Sequence, residues 1–419
     1  MNNTSTNWKL MKLHELGFVG RGRSRHRPRN DTSLYEGKYP FIQTGDVKAA
    51  DLYISSYTQT YNEKGLAQSK LWEPGTLCIT IAANIAETAI LKISACFPDS
   101  IVGFVPFADV TDVRFVKYYI DTIKLRMQNV SKGTTQDNLS LDKLLTFEFL
   151  TPPLSTQRKI AAILSAYDDL IENNTCRIAI LEEMAQSLYR EWFVHFRFPG
   201  HEENRMVESA LGRIPEGWEV VKTSSALEID PPTKVPRDGE KPFISMASLS
   251  NNSMLIDDME SRTGNSGSKF KNGDTLFARI TPCLENGKTG YVQFLPSADS
   301  VAFGSTEFIV LRSRTLCPEY VYLMARSNEF RDNAIKSMTG ATGRQRVQVA
   351  CFDKFLLTQP DTKTLAAFRK IVTPLFHNIY VLAQKNANLR RTRDLLLPKL
   401  ISGEVDVERL EVDTKAVTV

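Results

Sequence analysis

The sequence predicts an α+β protein written twice: two related globular domains separated by two long helices, which pack as an antiparallel coiled coil in a pseudo-two-fold internal repeat. Three observations carry this. Short motifs recur at a separation of roughly half the chain. Two stretches place apolar residues at heptad spacing. The separation between copies drifts in the globular parts and stops drifting in the heptad stretches.

The repeat is long and shallow. Trp8-Lys9-Leu10 recurs as Trp218-Glu219-Val220, and Pro40-Phe41-Ile42 as Pro242-Phe243-Ile244. Gly75 matches Gly273, Gly133 matches Gly340, and Pro152 matches Pro360. The offsets run 210, 202, 198, 207 and 208, as expected for related globules that have gained and lost loop residues. Beyond Pro152 the offset holds at 208 through Ile163/Ile371, Ser165/Thr373, Ile171/Ile379, Leu181/Leu389 and Leu188/Leu396. A segment without insertions reads as a continuous helix, because one extra residue would rotate its apolar face by about 100°.

The periodicity agrees. Tyr167, Ile171, Asn174, Ile178, Leu181, Ala185, Leu188, Trp192 and His195 follow alternating spacings of 4 and 3. The second copy gives Leu375, Ile379, Leu382, Asn386, Leu389, Arg393, Leu396 and Leu400. Both are heptad seams with interior polar positions. Ser165 with Asp168 reads as a capping box, and Thr373 as a cap with Pro374 in the first turn, so the helices are expected to start there. In the globules, "TLCITIA", "AILKISACF", "TLFARIT", "GYVQFL" and "EFIVL" read as strands. "VRFVKYYIDTIKLRMQ" and "EYVYLMARSNEFRDNAIK" read as helices, and Arg197 to Trp218 as a polar linker.

Composition narrows the function. The 419 residues suit two to four domains, and 42% hydrophobic content suffices for real cores. Net charge is only +4, so strong basicity is local rather than global. The six cysteines form no C-x-x-C pair, and the five histidines form no H-E-x-x-H. No zinc site and no disulfide framework are expected. There is no leader-like apolar region and no 18-residue apolar run, so a reduced, soluble, cytoplasmic protein without membrane contact is expected.

Two fragments suggest an adenine methyltransferase: "FVGRG" at Phe18 to Gly22, and "DPPT" at Asp230 to Thr233. A cofactor glycine loop should open a helix, and "SRHRPRND" is a poor helix start. The catalytic motif needs an aromatic ring to stack on a flipped base, which Thr233 cannot supply. The fragments also fall in different repeats. Glu36-Gly37-Lys38 and Pro98-Asp99 do not combine into a nuclease motif, and no phosphate-binding loop of the G-x-x-x-x-G-K-[ST] type occurs. No catalytic residue, metal or cofactor is assigned.

Binding remains. "VGRGRSRHRPRND" places Arg21, Arg23, Arg25, Arg27 and Arg29 with Ser24 and His26 in one loop, without a carboxylate before Asp31. Such a loop suits phosphate neutralisation and bidentate reading of guanine. Each half also carries a glycine-containing polar loop at the same place. The first holds Lys132, Gly133, Thr134, Thr135, Gln136 and Asn138; the second holds Thr339, Gly340, Thr342, Arg344, Gln345 and Arg346. Small residues let the backbone approach phosphates, while Gln and Arg reach base edges. Gln43, Thr44, Lys234, Arg237, Arg279 and Lys288 complete the expected DNA-contacting set. A helix from Ala166 to His195 would span roughly 45 Å. One turn of duplex is about 34 Å, so two readers on such helices suit a split duplex site. Because the readers differ in sequence, the half-sites should differ too.

"PPLSTQRKIAAILSAYDDLIENNTCRIAILEEMAQSLYREWFVHFRFPG" resembles the central spacer of the DNA-specificity (S) subunit of type I restriction–modification enzymes. "LRRTRDLLLPKLISGEVDV" resembles that family's C-terminal conserved segment, and "MVESALGRIPEGWEV" the entry to its second reader. His195 and Arg197 stand where acids are commoner, and "TPLFHNI" is a divergent second helix start. The resemblance implies target-recognition domains at 1–150 and 199–360, conserved helices at 151–198 and 361–410, and a tail at 411–419. It implies a non-catalytic subunit that reads a bipartite, asymmetric site on double-stranded DNA. Its partners would be two adenine methyltransferase subunits using S-adenosylmethionine and motor/nuclease subunits. Tyr167, Ile171, Ile178, Leu181, Leu188, Trp192, Leu375, Ile379, Leu382, Leu389 and Leu396 would form the helix pair and offer outer faces to partners. A stand-alone adenine methyltransferase and a coiled-coil scaffold without DNA affinity are the alternatives.

Overall fold

The structure is a computed structural model in which residues 7–131, 139–341 and 343–414 are described. The chain divides into two compact units, one of Met1–Asn173 with Asn386–Val419 and one of Asn174–Lys385. Two long helices, Leu154–Tyr189 and Thr362–Ile401, each contribute one stretch to each unit. Among the described residues no helix is long and apolar enough to cross a membrane.

The globular bodies repeat most of their strands, with Tyr53–Ile54 at the edge of one sheet in the first unit alone. The first unit holds a five-stranded sheet in the order Gly17–Arg21, Ile101–Pro106, Leu77–Thr80, Thr88–Leu91, Tyr53–Ile54. The second holds Leu227–Ile229, Phe308–Ser313, Thr275–Ala278, Thr289–Tyr291 in the corresponding order. A further four-stranded sheet in each unit contains one parallel pair, Phe41 beside Cys96 and Phe243 beside Phe303. The register repeats at the turn glycines as well. Gly75 N–H donates to the Leu91 carbonyl and Gly273 N–H to that of Val292, both at 2.8 Å, with φ of 83° and 87°. A side chain is disfavoured at such φ, which accounts for glycine in both copies.

First and last strands of each body pair antiparallel: Lys9–Lys12 with Glu148–Thr151, and Glu219–Lys222 with Leu356–Gln359. Each last strand leads directly into a long helix. These helices start eleven residues before the expected Ser165 and Thr373. The Pro153 carbonyl accepts from Thr156 and Gln157 N–H, and Asp361 Oδ1 accepts from Lys363 and Thr364 N–H at 2.9 Å each, a side-chain cap. Ser165 is instead fully buried within the helix, and the Thr373 hydroxyl donates to Glu319 Oε1 at 2.7 Å. Pro374 is interior, but Lys370, whose carbonyl loses its donor there, is exposed to water. Two other expectations change. "EYVYLMARSNEFRDNAIK" forms two helices, Pro318–Ala325 and Asn328–Lys336, because the Ser327 hydroxyl caps Phe330 N–H. "AILKISACF" splits between the two sheets.

In the first unit the helix pair is antiparallel, since Asp168 meets Arg393 while Ile171, further along, accepts from Asn386. Leu164, Ile171 and Leu400 are buried along it, and Tyr167, Leu389 and Leu396 are half-buried. In the second unit Ile178, Ala185, Trp192, Phe368, Val372, Phe376 and Ile379 share one core. Trp192 near the end of one helix lies 5.8 Å from Phe368 near the start of the other, so the antiparallel sense holds there too. Leu181, Leu188 and Leu382 pack partly buried against this core. The seam differs from expectation at its ends. Phe376, rather than Leu375, is fully enclosed, and His195 is exposed beyond a π-helical turn at Arg190–Val194.

The polar seam position at Asp168 is a buried node. Its carboxylate pairs with Arg393 and accepts from Tyr118 Oη at 2.5 Å. Burial first, then the Asp168 charge, raises the Tyr118 phenol well above its ordinary value, so it stays a donor. Asp168→Ala is expected to cost about 3 kcal/mol in urea unfolding, because it removes the acceptor of the buried Tyr118 hydroxyl and leaves Arg393 only the exposed Asp394 carboxylate. The paired change Asp168→Leu with Arg393→Met should recover most of that loss. A single-mutant cost below about 1 kcal/mol would show that the node is not buried as described.

Candidate nucleic-acid interface

The arginine loop of the first unit leaves the sheet at Arg21. Pairing continues briefly, with Gly22 N–H to the Ile101 carbonyl at 2.8 Å and Arg23 N–H to that of Phe97 at 2.9 Å. A Cβ on Gly22 would collide with the Pro98 carbonyl oxygen. This glycine therefore serves close backbone packing, and no helix follows as a cofactor loop would require. Gln68 Oε1 accepts from Arg25 and His26 N–H at 2.5 and 3.0 Å, and the Ser69 hydroxyl donates to the Arg23 carbonyl. The pinned chain is extended. Gly22 and Ser24 face inward, while Arg21, Arg23 and Arg25 face solvent, the alternation of a strand-like backbone.

The five arginines divide into two groups. Arg29 pairs with Asp99 at 2.6 Å, and Arg21 Nε donates to the Asp99 carbonyl at 3.2 Å. Arg27 donates to the carbonyls of Ser24 and His26, while His26 Nε2 lies 2.8 Å from Asp31. These side chains build the loop. The Arg23 and Arg25 guanidinium groups have no hydrogen-bond or ion-pair partner among the described residues and are exposed. Lys70, which no sequence motif marks, lies nearby with Nζ 3.6 Å from the Trp72 ring centre. Partial burial, then the Arg23 charge, lowers its pKa. Gln43 and Thr44 follow the neighbouring strand Tyr35–Phe41, on the other side of the Ala95–Asp99 segment from Arg23. Gln43 Nε2 donates to Gln59 Oε1 at 2.6 Å.

In the second unit the matching position holds "DPPT". Asp230 N–H pairs with the Val310 carbonyl, and its Oδ1 accepts from Val310 N–H at 2.8 Å. Asp230, Thr233, Lys234, Lys269, Arg279 and Thr306 line an open cleft of about 770 Å³. Burial raises the Asp230 pKa. "FVGRG" thus lies largely in the strand Gly17–Arg21 of the first unit, and "DPPT" follows the corresponding strand Leu227–Ile229 of the second.

The second polar loop is tied down beside this cleft. Thr339 and Arg346 exchange backbone hydrogen bonds at 3.1 and 2.9 Å, Gln345 pairs with Thr281, and Arg346 binds Glu307 through two nitrogens. Gly340 (φ 127°) and Arg344 are exposed. Val347 N–H donates to the Arg279 carbonyl, and Arg279 N–H to that of Glu307, both 2.9 Å. The first unit repeats this frame with Leu139 N–H to Ile81 and Ile81 N–H to Ser100, both 2.9 Å. Lys132, Gly133, Thr134, Thr135, Gln136, Asn138 and Thr342 lie outside the described residues. Arg237 is exposed, with its carbonyl accepting from Gly264 N–H, and does not line the cleft. The Lys288 ammonium is taken up by the Met246 carbonyl at 2.9 Å.

The Arg346 guanidinium holds the Glu307 carboxyl below its usual value. A lowered folded-state pKa means that the tether's contribution is complete above the unfolded value of about 4.5 and is lost as pH falls through the folded value. Because Arg346 is half exposed, water screens the pair and that contribution is expected to be small. Glu307→Gln should raise amide exchange at Gln345 and Val347 at neutral pH and remove the acid-dependent part of the wild-type loss. Equal acid sensitivity in both proteins would place the titration elsewhere.

Residues 5–183 match the family model described as the type I restriction modification DNA specificity domain. The chain is 24% identical over 424 aligned residues to the MjaIX specificity subunit of a type I restriction enzyme from Methanocaldococcus jannaschii, covering 96% of this chain and 94% of the relative. It is 21% identical to the HindI specificity subunit of Haemophilus influenzae, over 66% of this chain and 72% of that one. Among solved structures, the S subunit of a type I restriction–modification system from M. genitalium aligns with a TM-score of 0.57 at 15% identity, covering 96% and 97% of the two chains. Motifs, repeated fold and relatives converge: residues 5–183 match the type I specificity domain, and nearly the whole chain is similar to specificity subunits of type I restriction–modification enzymes.

Proposed function

We propose that this chain is a specificity subunit, which reads a bipartite, asymmetric site on double-stranded DNA and itself performs no catalysis. The observation that carries the reading is the repeated backbone frame with unlike side chains on it. One copy presents Arg23, Arg25 and Lys70; the other presents Asp230, Lys234, Lys269 and Arg279. A common frame suits one kind of polymer, and different polar groups suit different sequences on it. The target-recognition domains would be residues 1–150 and 199–360, with 151–198 and 361–410 as conserved helices.

The outer faces of the helices are the proposed docking surface for two adenine methyltransferase subunits, with motor/nuclease subunits joining the assembly. Exposed Leu170, Ile180, Met184, Ile371 and Leu395 support this, since isolated helices would otherwise leave those side chains in water. Methylated adenines in DNA from cells expressing the partner methyltransferase, with and without this chain, test the function. A two-part asymmetric motif that requires the chain is expected. A motif that persists without it, or no motif, would reject the reading.

Arg23 and Arg25 supply a second test. Their joint replacement by alanine should weaken binding to specific and unrelated duplexes alike and reduce the salt slope by about 0.9 for each phosphate no longer neutralised. Unchanged affinity and slope would remove the loop from the interface. Alanine at Arg29 should act through stability instead, since that side chain is held by Asp99.

A further inference from the structure

We propose that Arg279 is a specificity-determining residue that reads a guanine in the second half-site, with Asp230 beside it accepting from the paired cytosine. This rests on the DNA-reading function proposed above and assigns a base pair to one of its two readers.

The first argument is the state of the arginine itself. Four other arginines of the second unit are committed, whereas Arg237 and Arg344 lie free at the surface. Arg312 forms two bonds of 2.7 Å to Asp274, Arg346 is held by Glu307, Arg262 by Glu260, and Arg326 by two backbone carbonyls. Arg279 is only partly exposed, its Nε is shut off from solvent, and no described residue accepts a hydrogen bond from that nitrogen. Asp230 and Glu307 both feel its charge, yet the first is bonded to Val310 N–H and the second to Arg346. No described residue accepts from the terminal nitrogens of Arg279 either, and these, unlike the sealed Nε, can take an acceptor from outside the chain. The side chain lines the open cleft with Asp230, so a ligand can reach it.

The second argument is chemical fit. An arginine fork matches the N7 and O6 acceptors of guanine, and a carboxylate accepts from the N4 amino group of cytosine. Donors and an acceptor side by side complement the major-groove edge of a G·C pair. Lys234, exposed on the same cleft, is placed for a neighbouring phosphate.

The third argument separates a base from a phosphate. Arg279 and Ile81 occupy one position of the repeated frame, each donating to the 307 or 100 carbonyl and accepting from residue 347 or 139. Phosphates are alike along a duplex, so a cation needed for one would serve both copies. A fork present in one copy only is suited to a letter present in one half-site only.

The test uses the assembled complex with its methyltransferase subunits, comparing wild type with Arg279→Lys, Arg279→Ala and Asp230→Asn. The lysine variant keeps the charge and loses the fork. Asparagine keeps the acceptor for Val310 N–H and tolerates the φ of 47° at that position. Readouts are the methylated motif, and binding to duplexes carrying each base pair at each position of the second half-site across a salt series.

Both arginine variants are expected to lose about 10- to 100-fold discrimination at a single G·C position. The first half-site should be unaffected, and Arg279→Lys should keep the wild-type salt slope. Asp230→Asn should relax the same position. Uniform weakening on all sequences with a slope reduced by about 0.9 would make Arg279 a phosphate ligand and overturn the proposal. An unchanged motif with lower thermal stability would make it structural and overturn it as well. If the wild-type complex itself yields no motif, the DNA-reading function fails, and this assignment falls with it.

Discussion

Neither unit completes its core from its own globular segment. In the first, Leu400, Ile401 and Val407 are enclosed with Leu13, Leu16, Phe149, Ile160 and Leu164. In the second, Phe368, Val372, Phe376 and Ile379 share a core with Trp192, Phe193 and Trp218. Each unit therefore needs a stretch of both long helices. Long-range closure is slow to form, since loop entropy must be overcome before such contacts stabilise anything. It also makes the helices integral to both units rather than passive connectors.

The paired first and last strands show how the chain meets this constraint. They bring the entry of each body beside its exit, so the following helix starts against the body it has just left. Trp8 and Trp218, one residue before these strands, then seal the helix ends. The Trp8 ring packs against Gly403, where an added Cβ would lie 3.2 Å from it. Trp218 stacks on Phe198 at 5.1 Å and donates through Nε1 to Asp361. The buried Asp168–Arg393–Tyr118 node adds direction to this closure. Apolar seams tolerate sliding, whereas a buried charge pair is satisfied at one register.

Much of this was legible in the sequence because repetition exposes it. Trp8 with Trp218, and Gly75 with Gly273, could be matched without coordinates. The helix starts were misplaced because a polar residue looks the same whether it caps a helix or, like buried Ser165 and exposed Thr373, bonds from within one. The candidate interface was harder. Five arginines in one loop are equivalent as letters, but Asp99, 70 residues from Arg29, decides which of them are held internally. Lys288 and Arg279 likewise read as two cations. One donates to the Met246 carbonyl, and the other has a shielded nitrogen without an acceptor. Gln68 and Lys70 carried no local signal, because their importance comes from tertiary neighbours.

The amide-and-carbonyl frame at Ile81 and Arg279 has an evolutionary corollary. Both residues are fixed by main-chain hydrogen bonds, which every amino acid except proline can make. A single fold therefore accommodates an aliphatic group in one copy and a cation in the other without changing its strand register. Positions of this kind can drift through many side chains while foldability stays nearly constant, so new specificities are accessible by point substitution rather than by remodelling the scaffold.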